Sequence, residues 1–311
     1  MLTFISDKKE RLDKFLASKI SSVSRGKIQK AIKDGLVLVN GKKVIEPDFQ
    51  VSESDQVQLP EFKKDELTAY SLELKIVYEN DDLAVIDKPA GLVVHPGAGN
   101  TEGTLANILI SKYPNIRSVG DPHRPGIIHR LDEDTSGLIL VAKNQQTLEY
   151  FKRQFQERKV EKEYLALVEG HPPHVHGIIN APLEKVPLKQ KMRVGSGKEA
   201  VTEYWVKGIN GEKRSNKDNG EALHFSLLRI KLHTGRTHQI RAHLAHIGHP
   251  IVGDAVYGHK SELIDRQFLH ASRLKFQLQD GTWLEVESEL PEDLKKVLEK
   301  LEINSDSNMA N

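Results

Sequence analysis

Gly126-Ile-Ile-His-Arg-Leu-Asp132-Glu-Asp-Thr-Ser-Gly137, followed at once by Leu138-Ile-Leu-Val141, is the stretch on which the reading of this chain turns. It sets three acids, a histidine and an arginine between two glycines, directly before an apolar run with the composition of a buried strand. A charged segment in that place has two physical meanings. It can be a solvated loop in which Asp134 or Ser136 helps the turn. It can also hold a carboxylate at the edge of the core beside an arginine, where low dielectric strengthens their attraction and keeps the acid ionised as a nucleophile or base. Asp132 is the best-placed carboxylate for the second role, and this segment taken by itself leaves both readings open.

Two further constellations lie downstream. In Val160-Glu-Lys-Glu-Tyr164-Leu-Ala-Leu-Val-Glu169, strand alternation puts Tyr164, Ala166 and Val168 on one face. A tyrosine there is either core or a ring on which an unstacked base can lie while the hydroxyl stays polar. The other constellation, His233-Thr-Gly-Arg236-Thr-His-Gln-Ile-Arg241-Ala-His-Leu-Ala-His246-Ile-Gly-His249, is rich in histidine. It contains no HExxH, no two of its helical histidines stand four apart, and residues 222–253 hold no acid, so no metal site is expected. Four Lys/Arg and six His over those 32 residues make a donor-rich surface suited to phosphate. Arg236 and Arg241, five apart, leave a helix in well-separated directions, so one of them is expected to face inward.

The 311 residues predict about two domains. Lys plus Arg number 45 and Asp plus Glu 44, so any polyanion binding must rest on charge segregated along the chain. That segregation is present: residues 8–43 hold 11 Lys/Arg against 3 Asp/Glu. There the spacing predicts a helix through Leu12, Phe15, Leu16 and Ile20, then a second, capped by Ser24, through Ile28, Ala31 and Ile32 to Gly35. A hairpin follows around Asn40-Gly41. Residues 44–66 turn acidic and include Pro60, which predicts a linker at 61–72 between a module at 8–60 and a larger domain at 73–303. In the larger domain strands are expected at 74–78, 82–86, 137–143, 163–169, 200–207, 223–233 and 282–287, with helices at 145–158 and 237–247, giving an α+β fold on a mainly antiparallel sheet. Residues 208–221 read as an exposed loop and 304–311 as a frayed tail. The absence of cysteine removes thiol chemistry and disulfides. With no secretory segment and no run of 18 apolar residues, a cytoplasmic protein without membrane association is expected.

Four segments in order carry a resemblance: Glu79 to Gly97, with Asp87-Lys-Pro-Ala-Gly91 and His95-Pro-Gly97; His129-Arg-Leu-Asp-Glu-Asp-Thr-Ser-Gly137; Lys162-Glu-Tyr-Leu-Ala166; and Gly235-Arg-Thr-His-Gln-Ile-Arg241. Together they resemble the successive motifs of the RluA/RluD family of RNA pseudouridine synthases over about residues 72–290. Arg11-Leu-Asp-Lys-Phe-Leu16 and Ser24-Arg-Gly-Lys-Ile-Gln-Lys30 resemble the small RNA-binding module of ribosomal protein S4. The resemblance implies a pseudouridine synthase fold in which Asp132 is the catalytic carboxylate, Tyr164 stacks on the target uracil, Arg241 pairs with Asp132, and Arg130 and Arg236 approach the RNA. It implies isomerisation of uridine, with no cofactor and no metal. Arg11, Arg25, Lys27, Lys30 and Lys43 would bind RNA through the N-terminal module. The closest subgroup, the RluD type, implies large-subunit 23S ribosomal RNA or a pre-ribosomal particle as partner, and a monomer. Two rivals stand beside this reading: a catalytically silent RNA-binding ribosome-assembly factor, and a metal-dependent hydrolase built on the histidines, which the missing acids disfavour. Glu133, where relatives of this type often carry lysine, is expected to face solvent.

Overall fold

The structure, a computed structural model, describes residues 1–20, 23, 25–61, 67–97, 100–187, 191–210, 213–214 and 222–304. In the N-terminal module, helices α1 (Leu12–Lys19) and α2 (Arg25–Lys33) pack on a four-stranded antiparallel sheet ordered Leu2–Ile5, Gln56–Leu59, Val37–Val39, Lys42–Val44. Leu12, Phe15, Leu16, Ile28 and Ile32, the apolar positions that predict the two helices, meet Val37, Val57 and Leu59 in one core. The hairpin turns on Asn40 (φ 50°) and Gly41 (φ 75°), two successive left-handed residues of the kind a tight hairpin requires. Ser24, the expected cap, lies outside the described residues.

One charge in this module is fully buried. Asp13 on α1 accepts from Arg11 (3.1 Å), from Arg25 (2.8 Å) and from Gln29 (2.6 Å), which ties α1 to α2. Burial raises its pKa, but hydrogen bonds from Arg11, Gln29 and Arg25 outweigh that and hold it well below the usual carboxylate range.

The larger body is built on a nine-stranded sheet. Its strands run in the order His176–Asn180, Val201–Ile209, Phe225–Leu232, Glu161–Glu169, Leu269–Gln277, Ser136–Ala142, Leu83–Lys88, Lys75–Glu79, and Trp283–Glu287 pairs with Leu269–Gln277. All of these pairings are antiparallel except the joint between Leu269–Gln277 and Ser136–Ala142, where His270 faces Ser136 and Ala271 faces Gly137 in parallel. Gly137 has φ 110°, and a Cβ there would stand 2.2 Å from the Ala271 carbonyl oxygen, so the close approach at this seam requires glycine. Strand Ser136–Ala142 is buried on both faces, with Ile139 and Val141 in one core and Leu138 and Leu140 in another, which is why it reads as an unbroken apolar run.

All seven expected strands are present, each within two residues of its expected start. Helices α4 (Gln145–Gln156) and α5 (Gln239–His246) fall where the periodicity places them. Strand Leu269–Gln277, helix α3 (Leu105–Lys112) and helix α6 (Glu292–Leu301) were not among the expected elements. α3 is buried through Leu105–Ile110 and so lacks an amphipathic period, whereas α6 carries Leu294, Val297, Leu298 and Leu301 at plain helical spacing. The central strand Leu269–Gln277 interrupts its apolar positions with His270, Arg273 and Lys275.

Within the expected linker, residues 67–70 already pack on the larger body. Leu67 joins its core, Asn107 donates to the Thr68 carbonyl, and Tyr70 N–H donates to the Asn107 carbonyl. In the expected loop at 208–221, the strand continues through Ile209, and Asn210 is buried and accepts from Phe225 N–H (2.6 Å). Residues 211–212, 215–221 and 305–311 lie outside the described set.

Asp13→Asn is expected to destabilise the N-terminal module by roughly 2 kcal/mol at neutral pH, because two hydrogen-bonded ion pairs lose their charge. Since the folded pKa lies below the unfolded one, the stability from Asp13 is present above pH 4 and lost on acidification. Wild-type and variant denaturant midpoints should therefore stay apart down to pH 4 and converge only as the pH falls below it.

Candidate active site

The loop that ends in strand Ser136–Ala142 delivers Asp132 to a cavity of about 480 Å³ beside the parallel seam. The Asp132 side chain is 16% exposed, and its Oδ2 accepts from Arg241 Nη1 at 3.0 Å. Arg241 sits on α5, buried, and its other edge forks onto Asp254, with Nε to Oδ2 at 2.6 Å and Nη2 to Oδ1 at 2.9 Å. Asp254 is fully buried, and its Oδ1 also accepts from the backbone N–H groups of Val256 and Tyr257. Tyr257 places its ring 5.2 Å from the guanidinium carbon. Burial alone would lower the pKa of Arg241, but Asp254 and then Asp132 raise it far above the ordinary value, so the cation is permanent. The fork on Asp254 fixes the guanidinium and leaves Nη1 for Asp132, a geometry that lysine could not reproduce.

Tyr164, on strand Glu161–Glu169, lines the same cavity and is 7% exposed. Burial, helped by the nearby Asp132 charge, pushes its phenol pKa upward, so the ring presents a neutral hydroxyl. Arg130 is exposed at the rim, and Arg236, just before α5, donates through Nε to the Glu199 carbonyl at 3.0 Å. Thus Asp132, Tyr164, Arg241, Arg130 and Arg236 surround one cavity, and of the two arginines five apart Arg241 is the one turned inward.

The rest of the Gly235–Arg241 motif is scaffolding. Gln239 Oε1 accepts from Thr234 Oγ1 (2.7 Å) and Arg236 N–H (3.0 Å), while its Nε2 donates to the Val201 carbonyl and Thr202 Oγ1. His243 is buried between Thr202 Oγ1 and the Ala181 carbonyl, His249 donates to the Glu169 carbonyl, and His233 pairs with Glu203. His238, in the left-handed region, stands 3.8 Å from Asp132 and 3.2 Å from the Tyr257 hydroxyl. The histidines thus serve separate neighbours, and no group able to hold a metal ion occurs among the described residues.

Two important side chains escape the sequence reading. Asp254 is the first acid after the acid-free stretch 222–253, and that position was its one visible signal. Lys88 is fully buried, and its ammonium donates at 2.8 Å to each of the Pro89, Leu92 and Glu133 carbonyls. Burial pushes its pKa down to about 7 against the pull of Asp134 and Asp132. Because Glu133 adjoins Asp132, Lys88 pins the loop that carries the carboxylate. The Glu133 side chain is exposed.

In the N-terminal module Lys30 and Lys43 are exposed and Lys27 is half-buried, whereas Arg11 and Arg25 are half-exposed and engaged with Asp13. The two arginines are therefore fixed in place with part of each side chain still open to solvent.

The family model for RNA pseudouridylate synthase matches residues 82–246, which contain Asp132, Tyr164 and Arg241. The chain belongs to this family. An S4 domain model matches residues 10–57. An uncharacterized RNA pseudouridine synthase of Aquifex aeolicus is 42% identical, covering 97% of this chain and 96% of the relative. The ribosomal large subunit pseudouridine synthase D of Escherichia coli O6:H1 is 38% identical, covering 93% and 90% respectively. Among solved structures, human RNA pseudouridylate synthase domain containing 1 superposes with a TM-score of 0.57 at 28% identity, covering 70% of this chain and 84% of that one. This RNA pseudouridine synthase is an isomerase that converts uridine in RNA, with a pseudouridine synthase fold and an RNA-binding S4 domain ahead of it.

Lys88→Met is expected to cost about 2 kcal/mol of stability by taking the donor from the Pro89 and Leu92 carbonyls, while the Glu133 carbonyl keeps only Gly91 N–H. It should also lower kcat through the loosened Asp132 loop, as checked by denaturant unfolding and single-turnover kinetics.

Proposed function

We propose that this synthase isomerises specific uridines in structured large-subunit ribosomal RNA, free or in a pre-ribosomal particle, using Asp132 as its catalytic carboxylate. The observation that carries the reading is the Asp132–Arg241–Asp254 chain beside Tyr164 in one cavity. The C1′–N1 bond of the uridine breaks, the uracil turns, C5 bonds to C1′ and gives up its proton, and N1 ends protonated, so no atoms are gained or lost. Detached uracil must be retained while it turns, and the buried Tyr164 ring on the cavity wall offers it a stacking surface. The Asp132 carboxylate, held against a fixed cation, supplies the group that engages the nucleoside. Extruding the base from its stack costs roughly a few kcal/mol, which contacts to the RNA backbone must offset. Arg130, Arg236 and the S4 domain's Arg11, Arg25, Lys27, Lys30 and Lys43 are placed to supply them.

The large-subunit assignment draws on the Escherichia coli relative, whose name states that substrate and which aligns over nine-tenths of both chains. The cavity is complete within one chain, which supports action as a monomer, and the compartment of such a substrate is the cytoplasm. A silent assembly factor would have no use for an arginine clamped between two carboxylates.

Pseudouridine mapping of ribosomal RNA from cells with and without the protein should show discrete sites that vanish on deletion. Asp132→Asn should fail to restore them, with a loss of about 10³-fold or more in rate. Unchanged pseudouridine in the deletion strain would overturn the reading. Separately, Lys30→Gln with Lys43→Gln should reduce the salt dependence of RNA binding by about 1.5 in log–log slope, as two lost phosphate contacts predict, with melting temperature unchanged.

A further inference from the structure

A second cavity of about 470 Å³ adjoins the first and shares Arg158, Lys162, Leu232 and His233 with it. Most cations on its wall are already neutralised. Arg158 pairs with Glu199 at 2.9 Å, Lys159 with Glu157 at 2.7 Å, and Lys231 with Glu161 at 3.0 Å. Lys162 differs: among the described residues no carboxylate or hydrogen-bond acceptor meets its ammonium, whose one recorded contact is the Phe155 ring at 5.2 Å.

That contact is a built one. Phe155 stacks on His129, with centroids 5.0 Å apart and planes at 25°. His129 Nε2 accepts from Leu140 N–H at 2.9 Å, and burial pushes its pKa down to about 3, so it stays neutral beside the lysine. A phenylalanine backed by a neutral histidine thus faces one ammonium at the boundary of two cavities. Burial also pushes Lys162 itself down to about 8. A desolvated cation with no counter-charge costs folding free energy, and its presence beside a nucleotide pocket makes sense if an anion completes it.

The outer end of the second cavity is formed by Trp283, which is 54% exposed and has Lys275 6.0 Å above its ring. The other tryptophan, Trp205, is already covered by the Arg229 guanidinium at 4.3 Å and by His176. A half-exposed indole among basic side chains is a platform on which any base can stack.

We propose that this second cavity receives the nucleotide flanking the target uridine, its phosphate on Lys162 and its unstacked base on Trp283. The inference rests on the reading of Asp132 as the centre of a uridine site in RNA. Base flipping at the first cavity then continues into a second captured nucleotide, and the strand is held on one side of the reacting residue.

The test uses the full chain, with an in vitro transcript of large-subunit ribosomal RNA as probe. Lys162→Met should weaken binding about tenfold and lower the log–log salt slope by about 0.7, the value for one phosphate on a single strand. Its melting temperature should be unchanged or higher, and Lys162→Arg should restore the slope. Trp283→Ala should weaken binding roughly tenfold, as loss of one stacked base predicts, and Trp283→Phe should largely retain it. RNA should quench tryptophan fluorescence in the wild type and not in Trp283→Phe. Unchanged slopes and quenching across the variants would overturn the subsite, as would a lower melting temperature in Lys162→Met that arginine does not rescue. Pseudouridine yield is read in parallel. If the wild type forms none while binding still depends on Lys162 and Trp283, the substrate reading fails and the subsite stands.

Discussion

The guanidinium of Arg241 lies between two carboxylates of unequal standing, and the site depends on that inequality. Asp254 is wholly buried, receives two backbone N–H groups besides the fork from Arg241, and performs no task but to hold the cation. Asp132 takes a single hydrogen bond from Nη1 and has its other oxygen 3.8 Å from His238 Nε2 on the cavity wall. A lone buried Arg–Asp pair would either collapse into mutual neutralisation or pay heavily for desolvation. Two acids face one base, and Asp132 is the one of the two that lines the cavity.

The framework exists to keep Asp132 at that distance. Three anchors converge on its loop from different parts of the chain: Lys88 on the Glu133 carbonyl, Arg266 on the Asp134 carbonyl, and the tight packing of Gly137 against Ala271. The carboxylate is thereby positioned through the backbone of the residues that follow it, which are tied down at 133, 134 and 137. Tyr164 and Arg241 come from a strand and a helix on the neighbouring side of the seam, so the cavity is the place where the two halves of the sheet meet.

How much of this was legible in the sequence follows from the kind of signal each part emits. Local signals read correctly: the Asn40-Gly41 turn, the helical spacing of Leu12, Phe15 and Leu16, and the apolar run of Ser136–Ala142. The strand Leu269–Gln277 did not, because two of its partners, Glu161–Glu169 and Ser136–Ala142, are distant in sequence and its own residues alternate imperfectly. The five expected pocket residues do share one cavity, and the spacing of Arg236 and Arg241 foretold that one of the pair would turn inward, though not which. Asp254 and Lys88 were invisible for a common reason. Each works by saturating buried partners, and a lone charged letter in a sequence does not disclose whether it lies in water or in the core.

The parallel seam has a consequence for when the enzyme can exist. Its two strands are separated by 134 positions, as the Ser136–His270 hydrogen bond records, and between them the chain must lay down Tyr164, Arg241 and Asp254. Contacts of such sequence separation form late, because the loop entropy they demand is met only after local structure is in place. A nascent polypeptide of this kind therefore cannot assemble the cavity until strand Leu269–Gln277, nearly nine-tenths of the way along these 311 residues, has been translated.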